Sequence, residues 1–252
     1  LRDPESSEPL SSHGVPSEVR PLVESLNQLF TRTHNMMVRG RRFTSDAAHE
    51  LRSPLTALKV QTEVAQLSND DPLAREKALT QLHTGIDRAT RLVDQLLTLS
   101  RLDSLDNLQD VAMLSLEELL QSAVMDIWQP AQQAHIDVRL QINAHNVMRT
   151  GQPLLLSLLV RNLLDNAIRY SPKGSVVDVT LDARQFTVRD NGPGVTAEVL
   201  PHIGERFYRP PGQHVTGSGL GLSIVRRIAA LHAMTVSFGN APDGGFIATV
   251  RW

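Results

Sequence analysis

The chain has 252 residues, a formal net charge of -2 and no cysteine; 41% of its residues are hydrophobic, 4% aromatic and 21% charged. That length supports a sizeable core without covalent staples, and the lack of Cys excludes disulfide frameworks, thiolate metal sites, iron–sulfur clusters and a cysteine nucleophile. The near-balanced charge speaks against a dedicated nucleic-acid binder, and no stretch approaches the roughly 20 apolar residues that cross a bilayer.

The chain opens LRDPESSEP, with neither an initiator Met nor a signal peptide, which points to a piece of a longer protein. Pro4, Pro9, Gly14 and Pro16 mark the first 16 residues as loop. A helical pattern begins at Ser17, the expected cap. Pro21 falls in its early turns, and Leu22, Leu26, Leu29 and Phe30 form an apolar stripe. The pattern runs to about Leu67. Ser68-Asn69-Asp70-Asp71-Pro72 then reads as a turn, and a second long helix extends from about Pro72 to Leu102. Its apolar positions are Ala78, Leu82, Ile86, Ala89, Val93, Leu96 and Leu97. Two such helices make a hairpin that cannot bury both stripes alone, so two hairpins paired into a four-helix bundle are expected.

Residues 103–113 have no clean period and read as linker. Ser115 with Glu118 is a capping box opening a helix to about Gln133. Alternating segments at Ile136–Ile142, Val176–Leu181, Phe186–Val188, Thr235–Phe238 and Phe246–Val250 predict strands. They are interleaved with helices at 152–169 and about 220–232. The second half is therefore an α+β domain with a mixed or antiparallel sheet.

Within FTSDAAHELRSPL, the expected buried stripe is Phe43, Ala47, Leu51, Leu55 and Leu58. At about 100° per residue His49 points roughly 175° away from it, as an ordinary solvated histidine would. Its neighbours favour a nucleophile instead. Glu50 can fix the imidazole tautomer and accept its proton, and Pro54 leaves the carbonyl of residue 50 without its helical partner. A zinc-protease reading fails because Ser53 stands where the second His of H-E-x-x-H is needed.

Four further segments suit a nucleotide. Asn162 and Asn166 lie four apart on one helical face, although paired Asn are commonly structural too. Asp190-Asn191-Gly192-Pro193-Gly194 follows a strand; it makes an ordinary turn, or a carboxylate held for an exocyclic amine. Glu205 to Gly212 carries Arg206 and Arg209 in a breaker-rich stretch with the composition of a lid. Gly217-Ser218-Gly219-Leu220-Gly221 runs into a helix N-terminus, which is an anion site. It is neither a P-loop nor a dinucleotide fingerprint.

In their order and spacing these motifs resemble the catalytic half of a bacterial sensor histidine kinase of the HisKA class. His49 to Pro54 is similar to the H-box, Asn162 to Pro172 to the N-box, Asp190 to Gly194 to the G1 box, Phe207 to the F-box, and Gly217 to Gly221 to the G2 box. The resemblance covers about Val15 to Trp252. It implies the end of a HAMP relay at 1–35, a dimerising phosphotransfer hairpin at 36–102, a linker at 103–113, and an ATP-binding α/β sandwich of the GHKL type at 114–252.

The resemblance also implies roles. His49 would accept phosphate with Glu50 as its acid/base partner, and Ser53 would orient water for a phosphatase reaction. Asn166 would hold Mg²⁺, with Asn162 ordering that site, while Arg169 touches phosphate and Tyr170 packs on adenine. Asp190, with Gly192 and Gly194, would bind the adenine amine. Arg206, Phe207, Arg209, Gly217, Gly219, Leu220 and Gly221 would admit the triphosphate. Where ATP-hydrolysing relatives carry a water-activating Glu, this chain has Asn162. The implied protein is a homodimeric Mg²⁺-ATP-dependent kinase that passes phosphate to a response-regulator receiver domain. Membrane contact would come only through upstream segments in a bacterial inner membrane. The alternative is a dimeric ATP-gated scaffold that transfers no phosphoryl group.

Overall fold

The structure, a computed structural model, describes residues 16, 19–68, 71–105, 107–210 and 217–252. The expected cap Ser17 and part of the turn before Pro72 lie outside them. The chain divides into two compact units, Leu1–Ala89 and Thr90–Trp252.

The first unit contains helix α1 (Arg20–Leu67) and the opening turns of helix α2 (Pro72–Ser104). Asp71 starts α2: its Oδ1 accepts the Ala74 amide at 3.0 Å, just ahead of Pro72, whose missing N–H suits the first turn. The two helices approach closely where Gly85 faces Leu58. A Cβ at 85 would stand 2.8 Å from Leu58 Cδ2. Pro54 lies inside α1, which continues through it. Phe43, Ala47, Leu51 and Leu58 are half-buried as the pattern predicts, but Leu55 is 58% exposed. Within one chain its face of the helix is not covered.

In the second unit α2 carries two apolar stripes, where the sequence suggested one. Leu92, Leu96, Leu99 and Leu102 are buried, whereas Val93 and Leu97 are exposed. The linker expected from 103 begins late, because α2 persists to Ser104. Strands β1 (Ala112–Ser115) and β3 (Met148–Gly151), not anticipated from the sequence, pair antiparallel. They are four residues each, with half of their positions exposed, and too short to show a period.

The helix expected over 115–133 is two, α3 (Leu116–Asp126) and α4 (Trp128–Gln133), joined at Ile127. Pro130 explains the break: it has no N–H to offer the carbonyl four residues earlier. The capping serine behaves as expected, Ser115 Oγ accepting the Glu118 amide at 3.3 Å.

The main sheet has five strands in the order β2-β4-β5-β7-β6. These are β2 (Asp137–Ile142), β4 (Val176–Leu181), β5 (Gln185–Arg189), β6 (Thr235–Asn240) and β7 (Phe246–Arg251). The β2–β4 pair is parallel and the rest antiparallel, so of the two arrangements expected the sheet is the mixed one. Helices α5 (Pro153–Tyr170) and α6 (Gly221–Leu231) pack on each other and reach the sheet. Leu159, Val160, Leu164, Ile224 and Ile228 are fully buried with Val177, Val179 and Leu181. Each contributes about 1.5–3 kcal/mol by leaving water.

His232, just past α6, ties the two helices together. Its Nε2 accepts the Gln152 amide at 3.0 Å, so the proton sits on Nδ1 and is donated to the Ile228 carbonyl at 2.8 Å. Burial holds the imidazole below its usual range. Among the described residues no helix is long and apolar enough to cross a membrane.

Candidate functional site

His49 stands exposed on α1, in the first unit, as the helical phase requires. Glu50 is half-buried and Ser53 exposed on the following turn. The nucleotide-type motifs all belong to the second unit, where the fold gathers them around one cavity of about 720 Å³. That is within the ordinary size of small-molecule sites.

Helix α5 supplies Asn162, Asn166, Arg169 and Tyr170 to its wall, the turn after β5 supplies Asp190 and Gly194, and the approach to α6 supplies Gly217, Gly219 and Gly221. Arg209 and Tyr208 complete that side. Four candidates, Gly192, Arg206, Phe207 and Leu220, do not line the cavity. They support it from behind or point elsewhere. Leu220 is fully buried, and Arg206 Nη2 donates to Asp103 Oδ1 at 2.7 Å.

The glycines show how tightly these motifs are knitted. A Cβ on Gly221 would sit 3.2 Å from Asn162 Oδ1, and one on Gly217 would sit 3.3 Å from Arg169 Nη1. Gly219 has φ of +70°, and a Cβ there would press on the Phe207 backbone at 2.7 Å. Only glycine fits both the dihedral and the space. Phe207 itself has φ of +60° and donates its amide to the Gly219 carbonyl at 3.2 Å, locking the two ends of this segment together.

Asp190 is 2% exposed. Its Oδ1 accepts two backbone amides, from Gly192 at 2.8 Å and Phe246 at 3.1 Å. The other oxygen remains for a donor in the cavity. Burial pushes this carboxyl above its ordinary value, against the two amides and Arg189, which favour the charged form. A raised value in a partly apolar cleft suits a carboxylate kept for a ligand. Asp165, also on the wall, is likewise pushed up by burial, with Arg161, Arg169 and Arg91 acting in the opposite sense.

Several supporting residues carry no sequence signal of their own. Gly245, with φ of +89°, packs against the Asp190 carbonyl so closely that no side chain fits. Asn240 clamps the turn by accepting the Val195 amide at 2.9 Å and donating to the Val195 carbonyl at 2.6 Å. The Asp243-Gly244-Gly245 hairpin turn was the one available clue. Arg91, Asp94, Gln95 and Thr98 bring α2 into the wall. The sequence pattern singles out none of these four.

Mg²⁺ fits the donor set in one way. Among the described residues no cluster of three or more His, Cys, Asp or Glu is placed to hold a metal. Asn162 Nδ2 donates to the Leu158 carbonyl at 2.8 Å, which turns its oxygen toward Gly221. Amide oxygens with few carboxylates match a Mg²⁺ ion bound mainly through phosphates and water.

Residues 40–105 match the His Kinase A (phospho-acceptor) domain, and residues 151–252 match the histidine kinase-, DNA gyrase B-, and HSP90-like ATPase family. The chain is 84% identical over all 252 residues to Sensor protein QseC of Salmonella typhi, and 80% identical to that of Escherichia coli K12. A solved cytoplasmic segment of histidine kinase QseC matches 66% of this chain and 93% of its own length, at 66% identity and a TM-score of 0.50. The chain belongs to the sensor histidine kinase family. Within this family, the solved complex of ThkA with the response regulator TrrA shares the fold at 19% identity and a TM-score of 0.71, over 87% of this chain and 64% of that one. The histidine kinase chain spans 56% of the length of the QseC relatives it matches.

Proposed function

We propose that this chain is the phosphotransfer and ATP-binding portion of a sensor kinase, which phosphorylates His49 from Mg²⁺-ATP and hands the phosphoryl group to an aspartate of a response regulator. One observation carries the reading: residues from four separated motifs, Asn166, Asp190, Arg209 and Gly217 among them, share one cavity at the start of α6. The boundaries we assign are 36–104 for the phosphotransfer hairpin, since α2 runs to Ser104, and 112–252 for the ATP domain, which opens with β1, with 1–35 as the end of a relay and 105–111 as linker.

In this reading Asp190 takes the adenine amine through its unoccupied oxygen, and Tyr170 covers the base. Arg169 and the α6 N-terminus hold the phosphates. Mg²⁺, held on the protein side by Asn166 with Asn162 ordering the site, would neutralise charge on the transferred phosphoryl group. An imidazole nitrogen of His49 forms the N–P bond as the β–γ bridging P–O bond breaks and ADP leaves, and Glu50 receives the imidazole proton. Catalysis is positioning and charge neutralisation. Asn162 has no basic group to activate water, which favours transfer over hydrolysis. Ser53 can orient water near His49, supporting a phosphatase reaction toward the regulator.

A homodimer is supported by the apolar residues left open on the long helices: Leu55, Val60 and Val64 of α1, and Ile86, Val93 and Leu97 of α2. A complex with a response regulator in the ThkA structure supports the partner class. Membrane attachment would come from segments outside this chain. The test is incubation with γ-labelled ATP. Acid-labile label retained on the protein, and lost in His49→Gln, supports the kinase. Nucleotide binding without label supports a scaffold, and free phosphate alone supports an ATPase.

A further inference from the structure

Two groups suited to phosphate in the second unit already have partners that lead to α2, one directly and one through Ser218. The first is Arg206, whose guanidinium donates to Asp103 Oδ1 at 2.7 Å. The second is the amide of Leu220 at the start of α6. It donates to Ser218 Oγ at 3.2 Å, and that hydroxyl in turn donates to Gln95 Oε1 at 2.6 Å. Gln95 thus fixes the hydroxyl so that its lone pair covers the amide. Gln95 and Asp103 are eight residues apart, about 12 Å along the helix.

Asp103 is an unusual residue for its position. It lies in the last turn of α2, where a carboxylate opposes the helix dipole. The helix gains nothing from it. Its partners are Arg206 and, at 3.9 Å, Arg227. Arg227 is anchored independently, since its Nε donates to the Leu102 carbonyl at 3.0 Å and its Nη2 to the Leu105 carbonyl at 2.8 Å. Those two bonds fasten α6 to the end of α2 whatever Arg206 does. Asp103 would also keep a cation beside it if Arg206 left. The ion pair is about one-third exposed on both sides, so exchange into another partner is easy.

We propose that α2 masks the phosphate-binding groups of this domain. On this account nucleotide binding exchanges Asp103 for phosphate on Arg206, and Gln95 for phosphate on Ser218, while Arg227 holds the two helices together. Asp103 and Gln95 are positioning residues that set nucleotide affinity by competition. This rests on the nucleotide reading above and adds the regulation of that site.

The test is calorimetry of a non-hydrolysable ATP analogue with Mg²⁺ on the whole chain. Asp103→Ala is expected to tighten binding by between about two- and fivefold, the range of a partly exposed ion pair. The gain should vanish in an Arg206→Gln background. Gln95→Ala should also tighten binding, and that gain should vanish with Ser218→Ala. Thermal melts confirm that each variant is folded. Unchanged or weaker binding in both Asp103→Ala and Gln95→Ala overturns the masking, as does a gain that survives Arg206→Gln. If the parent chain binds no analogue at all, the nucleotide reading itself fails, a result distinct from the others.

Discussion

Asp190→Asn separates recognition from stability at one atom. The carboxylate is nearly inaccessible, and its Oδ1 is held by the Gly192 and Phe246 amides. An asparagine oxygen can accept both amides, so the turn keeps its shape. The change falls on the other position, where an acceptor becomes an N–H₂ donor that, in the proposed nucleotide pose, would face the adenine amine. Losing a hydrogen bond to a charged group is worth about 1.5–3 kcal/mol, roughly ten- to a hundredfold in affinity for ATP. Inosine triphosphate presents a carbonyl at that position, which the new amide can donate to. The variant should therefore lose its preference for ATP over the inosine nucleotide.

Stability should move the other way. Burial raises the Asp190 carboxyl above the ordinary 3.8, so the folded state binds its proton more tightly than the unfolded state. Stability then falls as pH rises from about 3.8 through the raised value, and the deficit persists at neutral pH. The amide removes it, and the melting temperature at pH 7 should hold or rise. Calorimetric titrations with both nucleotides and a melting curve decide the matter. Equal loss of both nucleotides with a lowered melting temperature would refute the argument and make Asp190 a structural residue.

Other sites give equally concrete expectations. Asn166→Ala should abolish the Mg²⁺-dependent part of ATP binding in calorimetry while leaving binding without the metal nearly unchanged; an unaltered Mg²⁺ dependence removes Asn166 from the metal. Gly219→Ala should weaken nucleotide binding by about tenfold, since a left-handed conformation costs an ordinary residue roughly 1–2 kcal/mol before its clash with Phe207 is counted; a nuclear magnetic resonance titration would read it. His232 is held below 6.5 in the fold, so the unfolded chain takes up the proton first and stability is lost as pH falls below about 6.5. Melting curves between pH 7.5 and pH 5 should show that slope, at most about 1.4 kcal/mol per pH unit for one group, and His232→Gln should flatten it. If the slope is the same in both proteins, the acid sensitivity lies elsewhere.

Legibility followed periodicity. Strand β4 alternates buried and half-buried residues along Val176–Leu181, and α5 keeps an apolar face over four turns; both stand where the pattern placed them. The short pair β1–β3 has no room for a period, and Pro130 divided a helix that looked continuous. At the site, Asn166 and Gly217 stood out through the order and spacing of the motifs they belong to, although each motif alone suits an ordinary helix or turn. Phe246 acts through its backbone amide, which its side chain does not advertise. Gln95 and Asp103 are harder still. A polar side chain on a long helix looks solvated until a neighbouring motif is seen to end on it.

The two apolar stripes of α2 restrict how that helix can move. Leu92, Leu96, Leu99 and Leu102 are buried within the second unit, while Ile86, Val93 and Leu97 are exposed, roughly 130° away at 100° per residue. A rotation that carries the outward residues into new company drags the inner leucines out of theirs. Turning is opposed by the buried leucines, and in the proposed dimer the outward stripe would oppose it as well.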